Sequence, residues 1–228
     1  MIKLKNMLLA TIAIVALTTS AFAGTIGLGV TGSYAIIQAD GEETIDSAVN
    51  TTNGKANVSN RATVGSIFGE YSFDGDHGMT FGVDWMPGSA NVSQSSITRT
   101  DAASIPGDAE TDDGSRTAQA EVENHLTYYA ELPIHGGLYV KGGYVEMDVN
   151  TLESSALTTG SYGNKSVDGM LWGVGYKNTI GSNAFYKVEG TMTDFDTMTF
   201  ASDSTNTGNS VKADLDVSKL TFALGFSF

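Results

Sequence analysis

From Gly24 onward the chain alternates. Ile26, Leu28, Val30, Gly32, Tyr34 and Ile36 share one parity, and Thr25, Gly27, Gly29, Thr31, Ser33 and Ala35 take the other. Successive side chains of a strand point to opposite faces, so a period of two sorts these residues onto one apolar face and one small, polar face. The pattern recurs. Around 63–73, Ile67, Gly69, Tyr71 and Phe73 oppose Ser66, Glu70 and Ser72, and over 78–86, Met79, Phe81, Val83 and Trp85 oppose Thr80, Gly82 and Asp84. Residues 117–132 set Ala118, Ala120, Val122, Leu126, Tyr128 and Leu132 against Gln119, Glu121, Glu123, His125, Thr127 and Glu131. Three further stretches follow. Over 137–149, Leu138, Val140 and Tyr144 oppose Tyr139, Lys141 and Gly143; over 166–178, Met170, Trp172, Val174 and Tyr176 oppose glycines and Lys177; over 183–199, Tyr186, Val188 and Met192 oppose Lys187, Glu189, Thr191 and Thr193. The last segment aligns Leu220, Phe222, Leu224, Phe226 and Phe228, with Lys219 on the opposite parity. This predicts eight strands.

Short and long connections alternate between them. Asp74 to His77, Pro133 to Gly136 and Thr179 to Ser182 read as tight turns, whereas 39–61, 87–116, 150–165 and 200–210 are long and polar. Asn53-Gly54 is a strong hairpin signal within the first long connection, because a type I′ turn needs positive φ at both central residues. A water-soluble barrel would turn the apolar parity inward. Tyr, Trp and Phe near the ends of the apolar stripe, and many glycines on the other face, favour the inverse arrangement, in which the apolar face meets lipid and the glycines fit a crowded interior. Glu146, Asp148 and Asp194 share the apolar parity and are placed past the membrane surface. The expected fold is all-β, an eight-stranded antiparallel up-and-down transmembrane β-barrel over residues 24–228, with both termini and the short turns on the periplasmic side.

The N-terminus supports export. Lys3 and Lys5 precede an apolar-rich run over 7–17, and Ala21-Phe22-Ala23 is an A-x-A cleavage site, so residues 1–23 read as a signal peptide. The apolar run is shorter than the roughly 20 residues a transmembrane helix requires. After Gly24 no run of that length occurs, as expected where strands expose apolar side chains to lipid at alternate positions. Composition adds two exclusions. The full chain carries a formal charge of −14, which disfavours nucleic acid as a partner. It contains no cysteine, so neither a disulfide framework nor thiolate chemistry is available.

The final ten residues, Lys219 to Phe228, resemble the terminal strand of bacterial outer-membrane proteins: a C-terminal Phe228 preceded at alternate positions by Phe226, Leu224, Phe222 and Leu220. The resemblance implies recognition of this strand by the barrel-assembly machinery. With the signal segment and strand count, the chain resembles the small OmpA/OmpX-like, porin-family barrels, which implies an outer-membrane location, contact with lipid and lipopolysaccharide, and no domain beyond the barrel.

Candidate chemistry is sparse. Gly27, Gly29 and Gly32 fit G-x-G-x-x-G but lie within a strand, where a dinucleotide site needs a strand before and a helix after. His125-Leu126-Thr127 approaches the His-x-Ser pattern of lipid A deacylases, yet the serine is missing and no carboxylate stands at the family's spacing, so no enzymatic activity and no cofactor are expected. Clustered loop acids (Asp40, Glu42, Glu43 and Asp46; Asp101, Asp108, Glu110, Asp112 and Asp113) match no defined metal loop and are expected to be solvated. The inward parity collects Glu70, Asp84, Glu121, Glu123, His125, Glu131, Lys141, Lys177, Lys187, Glu189 and Lys219, an expected polar network of mixed sign. Gly143, Gly169, Gly173 and Gly225 on the same face oppose that expectation, since small residues could leave a water-filled path. Two functions suit these features: an envelope or surface-interaction barrel whose loops meet a ligand or phage, or a narrow channel or OmpW-like conduit for small or hydrophobic solutes. N-terminal sequencing of the membrane-extracted protein should begin at Gly24; a sequence starting at Met1 would overturn the export reading.

Overall fold

The structure, a computed structural model, describes residues 24–46, 51–75, 78–92, 96–101, 114–155, 162–201 and 210–228. The expected signal segment with Ala21 and Ala23, His77 and half of the second long connection lie outside them. Nearly every described residue is in a strand: β1 (Gly24–Asp46), β2 (Thr51–Phe73), β3 (Thr80–Trp85), β4 (Ser89–Asn91), β5 (Ile97–Asp101), β6 (Gly114–His135), β7 (Leu138–Ser155), β8 (Lys165–Ile180), β9 (Ala184–Phe195), β10 (Met198–Ala201) and β11 (Ser210–Ser227). Eight of them form an antiparallel ring in the order β1-β2-β3-β6-β7-β8-β9-β11, closed by β11 on β1. The closing ladder runs from Gly27 opposite Ser227 to Thr44 opposite Ser210. β4 and β5 carry the third stave upward along β6, and β10 continues the seventh along β11.

The lipid-facing belt follows the parity of the sequence. Leu28, Val30, Ile67, Phe81, Met170, Trp172, Val174, Leu220, Phe222, Leu224, Phe226 and Phe228 are all exposed. On β11 the belt spans Leu220 to Phe228, close to the 9–11 residues a tilted strand needs to cross a bilayer. Rings gather at its lower end, where Tyr71 stacks edge-on to Phe73 at 4.9 Å and Tyr176 lies 6.2 Å from Tyr186. Tyr34, Trp85 and Trp172 stand on the outer wall in its upper half. Aromatic side chains at both levels match the girdles of membrane barrels.

Above the belt the polarity inverts. Glu146 stands opposite Asp168, Asp194 opposite Asp216, and Asp40 opposite Asp214, all on the outer face. Inside, Ile37, Val122, Met147, Val149, Val167, Phe195, Leu215 and their neighbours form a buried apolar core. The upper staves therefore resemble a water-soluble barrel stacked on a membrane one, because the solvent outside changes from hydrocarbon to water. This inversion explains why the first connection is mostly strand: β1 and β2 stay paired up to Asp46 opposite Thr51. Asn53 faces Thr44 and Gly54 faces Glu43 within that ladder, so Asn53-Gly54 is not the turn. At the lower end, the turn into β7 is built on Gly136 and Gly137, at φ of 60° and 89°.

β6 corrects two of the proposed interior residues. A bulge interrupts the β6–β7 register between Glu123 and Leu126, with Asn124 at φ 53°. The extra residue shifts parity. Below it, Thr127, Tyr129 and Glu131 are buried inward; above it, Val122 is buried, while Glu121 and Glu123 occupy the outer parity. Asn124 donates to Asp148 at 2.9 Å outside the wall. Glu121 and Glu123 thus do not belong to the interior network.

Arginine at Leu224 or Val83 should cost about 2–4 kcal/mol near mid-membrane. Glu121→Gln should change stability little, whereas Val122→Asp should destabilise strongly by burying an unpaired charge. Urea unfolding of the refolded protein reads all four; tolerance of Val122→Asp would contradict the parity switch at the bulge.

Candidate functional site

Removing Glu121 and Glu123 balances the interior. The remaining carboxylates, Glu70, Asp84, Glu131 and Glu189, face Lys141, Lys177, Lys187 and Lys219. Six of these eight groups cluster in the lower half of the barrel. Lys187 on β9 donates to Glu70 on β2 and, at 2.7 Å, to Glu131 on β6, each three staves away around the ring. Lys177 on β8 reaches Glu70, on the stave directly opposite, at 2.8 Å. Lys141 on β7 pairs with Glu189 at 2.8 Å and approaches Glu131 at 3.7 Å. The cluster holds three positive and three negative groups, and its contacts span the lumen rather than following one wall.

Aromatic residues complete the cluster. Tyr129 donates to Glu70 at 3.0 Å and Tyr139 to Glu189 at 2.5 Å, supplying neutral donors to carboxylate oxygens. Lys141 sits 3.8 Å from the Tyr129 ring centroid and Lys177 sits 4.4 Å from that of Phe185. The rings of Phe68, Tyr129, Tyr139 and Phe185 all lie 5.5 to 5.9 Å from the Lys187 ammonium. Cation–π attraction strengthens where the cation is desolvated. Lys187 itself is 2% exposed, so its long stem is fully packed.

The interior glycines make room for these rings. A Cβ at Gly82 would collide with Tyr129, one at Gly175 with Tyr139, and one at Gly225 with Phe185. Gly169 leaves space for Phe195, Gly173 for Thr191, and Gly143 lies against the β6 backbone. Side chains from neighbouring strands therefore take up the volume that the glycines leave. Sequence reading missed Tyr129, Tyr139, Phe68 and Phe185 as members of the cluster. Their inward parity was the available signal, since a tyrosine on a buried face needs a partner for its hydroxyl.

Above this layer lies a hydroxyl collar. Ser33 and Thr221 hydrogen-bond at 2.8 Å, Thr31 bonds Ser66, and Ser66 donates to Asp84 at 2.7 Å. Asp84, His125 and Lys219 line one small cavity with Ser33 and Ser66. At the mouth beside the short turns, below the cluster, a wider cavity of about 390 Å³ is lined by Thr80, Glu131, Tyr139 and Lys177. Among the described residues no group of His, Asp and Glu has metal-binding geometry.

A closed ring of strands with an apolar outer belt, aromatic girdles and a polar interior defines a small bacterial outer-membrane β-barrel, and the protein resides in that membrane. No family model matches the chain, and no curated protein is significantly similar to it. Its fold resembles solved barrels. OprG from Pseudomonas aeruginosa is 12% identical, with 91% of this chain and 97% of that chain covered and a TM-score of 0.49. Ail, the attachment invasion locus protein of Yersinia pestis, solved in complex with the heparin analogue sucrose octasulfate, is 10% identical over 90% of this chain and 99% of its own, at a TM-score of 0.38. The outer membrane protease OmpT from Escherichia coli is 8% identical, covers 90% of this chain and 97% of its own, and has a TM-score of 0.43. The OmpT match corrects the expectation of no enzymatic activity: a protease is among the barrels that this chain resembles, so the fold does not exclude catalysis.

Lys187→Met should destabilise the folded barrel by about 3–5 kcal/mol, because it removes the cation shared by two buried carboxylates. Adding Glu131→Gln to that variant should recover part of the loss. Urea unfolding followed by the mobility shift between folded and unfolded forms measures both; additive losses would show that the two side chains do not interact.

Proposed function

We propose that this protein is an envelope or surface-interaction barrel with a closed interior, which displays acidic loops outward and does not pass solutes freely. The observation that carries this reading is the bridging of Lys187 between Glu70 and Glu131, reinforced by Lys177 from the opposite wall. An eight-stranded barrel encloses a lumen just wide enough for side chains to fill. Here the charges pair across that lumen and rings occupy the space beside the glycines. Lipopolysaccharide and the outer leaflet are the partners of the belt. The barrel-assembly machinery meets the β11 strand through Leu220, Phe222, Leu224, Phe226 and Phe228, and a surface ligand or phage meets the loops. Residues 1–23 act as the signal peptide of this export route.

One observation favours the second reading, a narrow conduit for small or hydrophobic solutes. β2 pairs with β3 only over Ile67 to Ser72, and above Ile67 no strand ladder is formed on that edge of β2 among the described residues. Recording from purified, folded protein in planar bilayers separates the two. Silence in the wild type, with conductance appearing in Lys187→Met, is the expected result. Stable wild-type conductance would reject the closed interior and promote the conduit.

A further inference from the structure

The outer wall changes from apolar to charged at the top of the belt, and the sign of the first charge divides the molecule. It is a carboxylate on β1 (Asp40), β6 (Glu123), β7 (Glu146), β8 (Asp168), β9 (Asp194) and β11 (Asp216). On β2 it is Arg61, and the third stave carries no charge between Trp85 and Val92. Arg61 stands opposite Ile36, the last apolar residue on the outer face of β1, and Thr63 below it stands opposite Tyr34. Ile36 and Tyr34 are exposed on the belt, so Arg61 sits where hydrocarbon gives way to head groups. It is exposed and forms no ion pair among the described residues. The same sector has an open edge. Phe73 donates its N–H to Met79 at 3.0 Å, so the odd-numbered residues of β2 turn their backbone groups away from β1, toward the third stave. β3 pairs with β2 only up to Ile67, and no strand pairs with Thr63 or Gly65 on that side among the described residues. Higher up, a side chain replaces the ladder: Asn60 accepts from the Arg61 N–H at 2.7 Å and donates to the Asn91 carbonyl at 2.9 Å. The N–H of Thr63 and its exposed hydroxyl therefore lie beside Arg61 on one open rim.

We propose that Arg61, Thr63 and the open edge of β2 bind one phosphate of an outer-leaflet glycolipid, the lipid A part of lipopolysaccharide. A guanidinium presents a fork of N–H donors matched to phosphate oxygens, and the neighbouring hydroxyl and edge N–H add further donors. Backbone donors left open beside hydrocarbon are costly, and a phosphate oxygen satisfies them. Against any of the six acidic staves a phosphate meets a carboxylate, and these like charges need a divalent cation between them. The site rests on lipopolysaccharide being the partner of the belt and adds to it an orientation, with the β2 sector turned toward the phosphate. It does not depend on whether the lumen is closed.

The test is native mass spectrometry of the full chain folded in non-ionic detergent, titrated with bis-phosphorylated lipid A in EDTA, which removes cation-bridged contacts to the acids. Saturable binding is expected, with fully dephosphorylated lipid A weaker by about tenfold, the loss of a charge-assisted contact. Arg61→Gln should weaken lipid A by about tenfold as well, and Arg61→Lys should restore part of it. Lys212→Gln, an exposed cation elsewhere on the upper wall, should leave binding unchanged. Wild-type affinity in Arg61→Gln would overturn the site while leaving lipopolysaccharide as the partner of the belt. Equal binding of dephosphorylated lipid A would overturn phosphate recognition, and displacement by equimolar inorganic phosphate would overturn the lipid as its source. No binding of either lipid A by the wild type would overturn the site and the lipopolysaccharide reading together. If Arg61→Gln does not fold, the amide resonance of Thr63 in the wild type decides the matter, and its failure to shift at saturating lipid A overturns the proposal.

Discussion

Backbone hydrogen bonding in hydrocarbon is the constraint from which this molecule is built. Inside a bilayer no water satisfies exposed amide and carbonyl groups, and each one left open costs several kcal/mol. An open sheet would leave two such edges. The β11–β1 ladder removes them, extending from Gly27 opposite Ser227 to beyond the membrane at Thr44 opposite Ser210. Once the ring is closed, its circumference sets a narrow lumen, and every inward side chain must be accommodated within it. The belt, the girdles and the interior ion cluster all follow from that closure.

The interior answers the constraint in two ways at two heights. Within the membrane, where the outer wall is apolar, the inner wall carries charge, and Glu70, Glu131 and Glu189 share Lys141, Lys177 and Lys187 among them. Above the membrane, where the outer wall carries Asp and Glu, the inner wall is apolar and packs Val122, Met147, Phe195 and Leu215 as a soluble protein would. One continuous set of staves thus serves two solvents. The Asn124 bulge is where β6 makes the change, since one added residue sends Glu121 and Glu123 outward and Val122 inward. The cavity of Asp84, His125 and Lys219 lies at the junction of the two regimes, which is why polar groups and apolar walls meet there.

The alternating sequence by itself determined the strands, the lipid-facing parity and the order of short and long connections, because a strand's side-chain period is two regardless of what it packs against. It placed Glu70, Asp84, His125, Glu131, Lys141, Lys177, Lys187, Glu189 and Lys219 on the inner parity for the same reason. It misplaced Glu121 and Glu123, because a bulge leaves no mark in a hydrophobic pattern and a glutamate suits either an inner polar face or an outer wet one. It also took Asn53-Gly54 for a turn, where the ladder carried β1 and β2 past that dipeptide. What only the tertiary structure decided is which inward groups meet. Lys187 and Glu131 are 56 residues apart along the chain and become partners because ring closure brings β9 and β6 to facing walls. The interior glycines read as gaps along a single strand; across strands they are the spaces into which Tyr129, Tyr139 and Phe185 fit, and that fit depends on register, which periodicity does not encode.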